Sequence, residues 1–309
     1  MTETQSTLRV TRYDPATMED AFRALLGRWG VLDPSSPFFD YWQPILKDFR
    51  EVLDDLFMAC DGDAVIGLAQ INWRPTLDDK ARSVTYFIDH EQPKEQVALA
   101  LKQYLDPVLA KRGITKQVAF SAPEYADYNA FYEQIGFVHR PEYDSMRMIW
   151  DGGDYTAPAI SGLEIHHYDR DHPDPKIESE LAELFNRTFA NEPSCSALSA
   201  ADIRKLAICN NMWFAYARET ATGKIVSYAE CGDGGLFSAI SVIRPYWGKG
   251  VAEWLAAHCM DHFRATGTDK LWSLVRIRNA PSIRLHKRMG WQHDGGGIYK
   301  YLVADINQP

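Results

Sequence analysis

The chain has 309 residues, of which 46% are hydrophobic and 24% are charged, and its formal net charge is -9. Acidic and basic residues are interspersed, so the sequence lacks the basic stripe typical of proteins that bind nucleic acid or an anionic membrane. No segment approaches the ~20 apolar residues that a membrane-spanning helix requires, and the start MTETQSTLRV has no apolar leader. We therefore expect a cytoplasmic protein of about two domains.

Five cysteines are scattered along the chain, are odd in number and never form a CxxC pair. This pattern argues against a disulfide framework or a zinc knuckle, and we expect reduced thiols that lie mostly in the core. The residues are Cys60, Cys195, Cys209, Cys231 and Cys259.

The first half of the chain predicts a strand at 8–12, a helix near 17–29 and a hairpin with strands at 56–60 and 64–73. The clearest change of composition comes at 150–162, which is rich in Gly, Pro, Ser and Asp and is typical of a linker. The second half repeats the order of elements, with a strand at 163–167, helices near 177–189 and 200–209, and strands at 212–218, 224–230 and 236–242. We predict domains at 1–150 and 163–309, joined by a linker at 151–162.

Two pairs of glycines indicate that the halves are copies of one another. Gly113 and Gly267 follow long predicted helices, Gly136 and Gly290 follow the last ones, and each pair is 154 residues apart. The same shift places IGF (135–137) on MGW (289–291). An ungapped register over ~50 residues exceeds what shared helix propensity would give, so we predict an internal duplication of one α/β unit.

The segment WGKGVA (247–252) lies between an apolar strand and a long helix in which Val251, Leu255, Cys259 and Phe263 recur at four-residue spacing. The start of a helix presents unpaired N–H groups and the positive end of the helix dipole, and glycine lets an anion approach the backbone. WGKGVA is thus either a diphosphate site or a tight turn. The common nucleotide motifs are absent, because there is no GxxxxGK[ST] and Glu253 stands where GxGxxG needs glycine.

A second segment, RNAPSIRLHKRMGW (278–291), follows a predicted strand at 270–277. Together with WGKGVA it resembles the two signatures of the GCN5-related N-acetyltransferases, the GNAT family, whose pattern is roughly Q/R-x-x-G-x-G/A and then N-x-x-A/S-x-x-L-Y-x-x-x-G-F. The resemblance covers residues 163–304 well, and residues 8–150 resemble a diverged copy of the same unit. It implies an α/β fold of two tandem GNAT-like domains, each with a mixed, mostly antiparallel central sheet flanked by helices, an organisation similar to that of mycothiol synthase.

The resemblance also implies an activity, the transfer of an acetyl group from acetyl-CoA (coenzyme A as co-substrate) to a small-molecule or peptide amine. The backbone around Val242 would donate to the thioester oxygen, and Asn279 with Ser282 would bind the pantetheine arm or bridge splayed strands. The loop that would hold the diphosphate consists of Trp247, Gly248, Lys249, Gly250, Val251 and Ala252. We expect no metal, no nucleic-acid or membrane partner, and a monomer or homodimer.

Two positions depart from the family pattern. Trp247 replaces the Gln or Arg of the first signature, which removes a side-chain contact and leaves the backbone donors. His286 replaces the tyrosine that protonates the departing thiolate in many members, and it is either the general acid or a helix histidine packed in the core. Glu230, on a predicted strand near the site, is either the general base or a solvated edge carboxylate.

The first copy lacks the features that this chemistry needs. WGKGVA is matched there by PKEQVA (93–98), which has no glycine, and Asp89, Glu91 and Glu95 bring negative charge to the place where a diphosphate would bind. Tyr125 takes the place of Asn279. We predict a degenerate first domain that serves as scaffold and as one wall of the acceptor site.

Two other functions fit the same residues. A non-catalytic acyl-CoA sensor would bind coenzyme A without transferring the acyl group. A tRNA-dependent aminoacyl transferase of related fold would need a basic groove, which the net charge of -9 does not favour. The histidine-rich segment 166–175 lacks metal-ligand spacing and is interpreted as a solvated turn, and Cys231 has no local histidine to activate it as a nucleophile.

Overall fold

The computed structural model of the chain describes residues 8–28, 30, 55–72, 80–89, 91–123, 126, 128–190, 192 and 195–306. The chain divides into two compact units. The first comprises Met1–Pro141 with Lys300–Pro309, and the second comprises Glu142–Tyr299. These boundaries differ from the predicted domains 1–150 and 163–309, since the segment 142–162 lies in the second unit and the segment 300–309 lies in the first.

The first unit is a mixed sheet with helices. Strands β1 to β4 pair as antiparallel neighbours, and β4 pairs with β5 in parallel at Ala81, Arg82 and Ser83. The predicted helix end at Trp29 and strand end at Trp73 lie outside the described residues. The strands described are β1 (Leu8–Arg12), β2 (Leu56–Asp61), β3 (Ala64–Ile71), β4 (Ala81–Ile88), β5 (Lys116–Ser121) and β6 (Val138–His139), and the helices are α1 (Pro15–Arg28), α2 (Lys94–Lys111) and α3 (Phe131–Gln134).

The second unit repeats this plan. Its strands are β7 (Ser145–Trp150), β8 (Leu163–His167), β9 (Trp213–Glu219), β10 (Ile225–Gly232), β11 (Leu236–Val242), β12 (Leu271–Arg276) and the first part of β13 (Gln292–Asp305). Its helices are α4 (Pro175–Thr188), α5 (Ala200–Cys209), α6 (Val251–Ala265) and α7 (Ala280–Arg288). The strand order is β13-β7-β12-β11-β10-β9-β8, in which only the β11 and β12 pair is parallel.

The final strand of each predicted domain belongs to the other unit. In the second unit β7 pairs with β12, and in the first unit the end of β13 pairs with β5. The pair Trp150↔Leu271 becomes the pair Ala304↔Gln117 when 154 is added to Trp150 and subtracted from Leu271. The identical registers confirm the internal duplication, and the exchange of strands is the reason that the unit boundaries differ from the predicted ones.

Each unit has its own hydrophobic core, built around its longest helix. In the first unit α2 buries Val97, Leu101, Leu105 and Leu109 against the sheet. In the second unit α6 buries Leu255, Cys259 and Phe263, so the predicted four-residue spacing marks the face of α6 that packs on the sheet. None of the helices in the described ranges is both long enough and apolar enough to span a membrane.

Candidate active site

Strands β11 and β12 of the second unit diverge. They pair only at Leu236↔Trp272, and beyond that position no strand of the described ranges pairs with the β12-facing edge of β11. On its other edge β11 stays paired with β10, with one extra residue, Ser238, between the pairs Glu230↔Ala239 and Cys231↔Phe237. Such a bulge bends a strand. The result is an open wedge between β11 and β12.

Val242, the last residue of β11, faces this wedge with its backbone. The N–H of the next residue, Ile243, donates to the carbonyl of Val226 on β10 at 2.9 Å, so it points away from the wedge. Since successive backbone groups of a strand point to opposite edges, the N–H and C=O of Val242 point into the wedge. This is the orientation that the role predicted for Val242 requires.

The loop between β11 and α6 turns on two glycines with left-handed backbones, Gly248 at φ 73° and Gly250 at φ 81°. A Cβ on Gly250 would lie 3.0 Å from Cγ of Pro158, whereas the space around Gly248 is open. Gly250 is also the N-cap of α6, so the amides from Val251 to Glu253 stand at a helix start, where no intrahelical carbonyl can accept from them. The two interpretations of WGKGVA are therefore compatible, because the tight turn exposes the donors that an anion would bind.

Charged groups beside this loop are mostly paired. The ammonium of Lys249, an exposed residue, lies 5.3 Å from the ring centre of Tyr246. Glu253 contacts Arg288 of α7 and accepts a hydrogen bond from the Tyr155 hydroxyl at 2.9 Å. Burial, and then the bond to Glu253, raise the pKa of Tyr155. The contact with Arg288 offsets the negative charge that Glu253 brings to the start of α6.

Trp247 makes a contact that the sequence does not reveal. Its indole is 65% exposed, yet the Nε1–H donates to the carbonyl oxygen of Val242 at 2.6 Å. The loss of the family's polar side chain at this position is thus accompanied by a new hydrogen bond, made to a backbone group that faces the wedge.

Asn279 and Ser282 organise the start of α7. Asn279 is the N-cap, and its Oδ1 accepts from the backbone N–H of Ser282 at 3.2 Å. The carbonyl of Ser282 in turn accepts from Nδ1 of His286 at 2.8 Å. Both residues therefore hold the helix that carries His286, and their predicted contact with the pantetheine arm stays a prediction.

His286 is 4% exposed and packs edge-on against Trp291, with ring centres 5.0 Å apart. Because a carbonyl oxygen only accepts, the bond to Ser282 places the proton on Nδ1 and leaves a lone pair on Nε2. Nε2 is buried and has no hydrogen-bond partner among the described residues. Burial lowers the pKa of His286, which keeps the ring neutral near pH 7. A packed core histidine normally has both nitrogens satisfied, so the free Nε2 marks a polar site in an apolar surrounding.

Glu230 is 7% exposed, so the interpretation as a solvated edge carboxylate is wrong. It lies opposite the bulge, where its Oε1 accepts from the Ser238 hydroxyl at 2.9 Å. The next residue, Cys231, is buried beside Cys259, and burial raises the pKa of the Cys231 thiol well above its usual value. Cys231 is therefore an inert core thiol at neutral pH.

The corresponding positions of the first unit lack the glycine turn and carry carboxylates. The N-cap of α2 is Pro93 with an extended backbone, and Asp89 is paired with Arg28 at 3.0 Å, while Glu91 and Glu95 are exposed. Tyr125, expected in place of Asn279, lies outside the described residues.

A buried polar chain fills the same unit behind the divergence of β4 and β5. The Tyr132 hydroxyl accepts from the N–H of Tyr86 at 3.3 Å, and the Tyr86 hydroxyl donates to Gln117 at 2.6 Å. Gln117 donates to Asp106 at 2.6 Å, and Asp106 accepts from Lys102 at 2.7 Å. At the 154-residue shift the second unit has Ile240, Leu271, Met260 and Ala256 where this chain has Tyr86, Gln117, Asp106 and Lys102.

Histidines on α6 form a cluster that the sequence analysis missed, although His258 and His262 stand four residues apart. Nε2 of His258 lies 2.7 Å from Nε2 of His167, the exposed last residue of β8, while residues 169–174 of the histidine-rich segment form an exposed loop, as predicted. The His262 ring stacks on Trp213 with ring centres 3.9 Å apart. Within the described ranges, no group of three or more His, Cys, Asp or Glu side chains is arranged to hold a metal ion. These rings hold β8 and β9 against α6.

Comparison with known proteins agrees with this geometry. Residues 177–291 match the model of the acetyltransferase (GNAT) family. A tandem GNAT protein from the clavulanic acid biosynthesis pathway is 14% identical, with a TM-score of 0.66 over 98% of this chain and 99% of that one. A GCN5-related N-acetyltransferase from Sphaerobacter thermophilus is 17% identical, with a TM-score of 0.61 over 98% of this chain and 97% of that one. No curated protein matches the chain.

The fold is accordingly the tandem acetyltransferase fold, a mixed α/β architecture that extends over nearly the whole chain. The family match covers residues 177–291 of the second unit, which contain the glycine loop and α7.

Proposed function

We propose that this protein is an acetyl-CoA-dependent N-acetyltransferase, with its active site in the second unit and a small-molecule or peptide amine as acceptor. The observation that carries the proposal is the arrangement, in one unit, of an open β11–β12 wedge, a glycine turn at the start of α6 and a buried unpartnered Nε2 on His286. The matched positions of the first unit hold Pro93 and an internally bonded Tyr132.

Acetyl-CoA would bind as substrate along the elements that bound the wedge. The backbone amides of Gly248 and of Gly250 to Ala252 are placed to bind the diphosphate, since they lie at the positive end of α6, whereas the Lys249 N–H donates to the Tyr246 carbonyl at 3.4 Å. The exposed Lys249 adds positive charge at the same place. The N–H of Val242 would donate to the thioester oxygen, where negative charge develops during attack.

Two groups would move the protons of the reaction. An amine with a pKa near that of lysine, ~10.4, arrives as an ammonium and must first lose a proton, for which the Glu230 carboxylate is the candidate base, directly or through water. After attack on the acetyl carbon, the nitrogen carries one proton too many, and Nε2 of His286 has the lone pair to accept it.

Collapse of the adduct breaks the C–S bond and releases the thiolate, which takes the proton from Nε2 and leaves His286 neutral again. His286 would therefore act as a proton acceptor first and as an acid second, because its free nitrogen carries no proton at the outset. His286 keeps the predicted role of protonating the thiolate, and in this order the proton comes from the attacking nitrogen.

The direct test is release of free thiol from acetyl-CoA against a panel of amines: a glucosamine-linked cysteine, an aminoglycoside, a polyamine and peptides with free N-termini. We expect turnover with at least one amine. His286→Gln should lower kcat about 100-fold, in the range of general acid–base catalysis, with the Kd for coenzyme A unchanged. The matched control is His172→Gln, since His172 is exposed and bonded only to nearby Asp169.

Tight coenzyme A binding without turnover of any amine would favour the acyl-CoA sensor. Equal kcat for the wild-type chain and His286→Gln would show that His286 packs in the core and takes no part in proton transfer. Absence of coenzyme A binding would refute the proposal.

A further inference from the structure

Trp247 is the most exposed large hydrophobic residue in the described part of the chain, at 65%. An indole left so open to water has little packing to hold it in place. Its orientation is instead fixed by the hydrogen bond from Nε1–H to the Val242 carbonyl, at 2.6 Å. One hydrogen bond thus determines where this ring stands.

That bond uses a backbone carbonyl that faces the wedge. The carbonyl of Val242 points toward the open edge of β11, because the neighbouring Ile243 N–H is used by β10. A ligand that lies along an open strand edge gains affinity by pairing its own amides with the edge N–H and C=O groups. The pantetheine arm of coenzyme A contains two amides, so its entry along β11 requires such carbonyls. Trp247 already uses the one at the end of the strand.

The indole also has room to leave. The next residue, Gly248, has a left-handed backbone, and a Cβ built on it would meet no atom within 4 Å. The Trp247 side chain is itself mostly exposed, so its rotation away from Val242 moves the indole into solvent. Breaking the bond would free the carbonyl and leave the glycine turn in place.

We propose that Trp247 is a displaceable stopper of the acyl-CoA site: its indole caps the Val242 carbonyl in the free protein and is displaced when the pantetheine arm binds. This inference rests on the proposed function and deepens it, because it assigns the side chain at a family-divergent position to control of access. The backbone of Trp247 stays part of the loop, while its side chain competes with the ligand.

The test compares two ligands on the full chain, coenzyme A and 3′-phosphoadenosine 5′-diphosphate, which keeps the diphosphate and lacks the pantetheine arm. Trp247→Phe keeps an aromatic ring and removes the N–H donor. Without the indole hydrogen bond to Val242, coenzyme A no longer has to break that bond on binding. Coenzyme A binding should therefore tighten about threefold to tenfold and its association rate should rise, with no change for the ligand that lacks the arm. Calorimetry gives the Kd values, and stopped-flow fluorescence gives the rates.

Trp272→Phe is the matched control. The Trp272 indole donates to the Gly234 carbonyl at 3.1 Å, at the closed end of the wedge where β11 and β12 pair. We expect wild-type affinity for both ligands in this variant. Equal or weaker coenzyme A binding by Trp247→Phe would overturn the stopper, and so would an equal gain for both ligands. If the wild-type chain and Trp272→Phe bind neither ligand, the proposed function and the stopper are refuted together.

Discussion

Replacing Trp150 with alanine should destabilise the second unit, although Trp150 is the last residue of the predicted first domain. The strand that carries it, β7, pairs with β12, and its side chain is 1% exposed in the core around α6. Replacing Leu302 with alanine should destabilise the first unit instead, since Leu302 is 2% exposed in the core around α2. Each substitution thus acts on the unit opposite to the one that chain order assigns.

The expected size of each effect follows from burial. Truncating a fully buried tryptophan to alanine costs about 3–5 kcal/mol of unfolding free energy, and truncating a buried leucine costs about 2–5 kcal/mol. Small domains are stable by about 5–15 kcal/mol in total. Either change therefore removes a large share of the stability of one unit, which is enough to raise the rate at which its backbone amides become exposed.

Hydrogen exchange of the intact chain separates the two units. Trp150→Ala should accelerate exchange in β11 and β12 and leave β3 and β4 unchanged, and Leu302→Ala should give the reverse pattern. The strand exchange would be refuted if Trp150→Ala accelerated exchange in β3 and β4 while β12 kept its protection.

Three further outcomes are expected. If His286 accepts a proton through Nε2, kcat/KM should be independent of pH near pH 7 and fall only when the pH drops through the lowered pKa of His286. If His286 had to be protonated before the reaction, kcat/KM would instead fall as the pH rises through that pKa. Desolvation lowers the pKa values of His167 and His258 in the folded chain, so on acidification the unfolded chain takes up protons at a higher pH than the folded chain does. The free energy of unfolding measured in urea should therefore be constant above about pH 6.5 and decrease below it. His258→Gln should make that decrease smaller. Gly250→Ala should weaken coenzyme A binding at least ~10-fold by calorimetry, because the new Cβ would contact Pro158 and the backbone of residue 250 is left-handed. Gly62→Ala is the control, since Gly62 is also left-handed but lies in open space, and it should leave the Kd unchanged.

The duplication and the glycine turn were predictable because both leave a trace in residue spacing. Gly113 and Gly267 end α2 and α6 with left-handed backbones, a requirement that few other residues meet, and an ungapped shift of 154 connects them. The strand exchange leaves no such trace. β7 and the end of β13 are copies with the same ladder register, so either one satisfies the pairing demands of either sheet.

The chemistry of individual side chains was less accessible. Sequence marks His286 as a departure from tyrosine, but the position of its proton depends on the Ser282 carbonyl, which the helix brings within 2.8 Å. The burial of Glu230 depends on the pairing of β10 and on a bulge at Ser238, and neither is visible as a motif. Trp247 was expected to lose a contact, and the hydrogen bond to Val242 appears only once β11 and the loop are folded.

The two copies satisfy equivalent polar groups in different ways, and this difference decides where a ligand is expected. In the first unit the wedge-facing N–H of Tyr86 is bonded to the Tyr132 hydroxyl, so that copy closes on itself. At the equivalent positions of the second unit, Ile240 lies on an edge with no partner strand and His286 keeps a buried Nε2 without a partner among the described residues. A buried polar group left unsatisfied costs about 1–3 kcal/mol, which a ligand with matching donors and acceptors would recover on binding. The second copy is therefore the one in which bound substrate would complete the hydrogen bonding, and the proposed reaction is assigned to it alone.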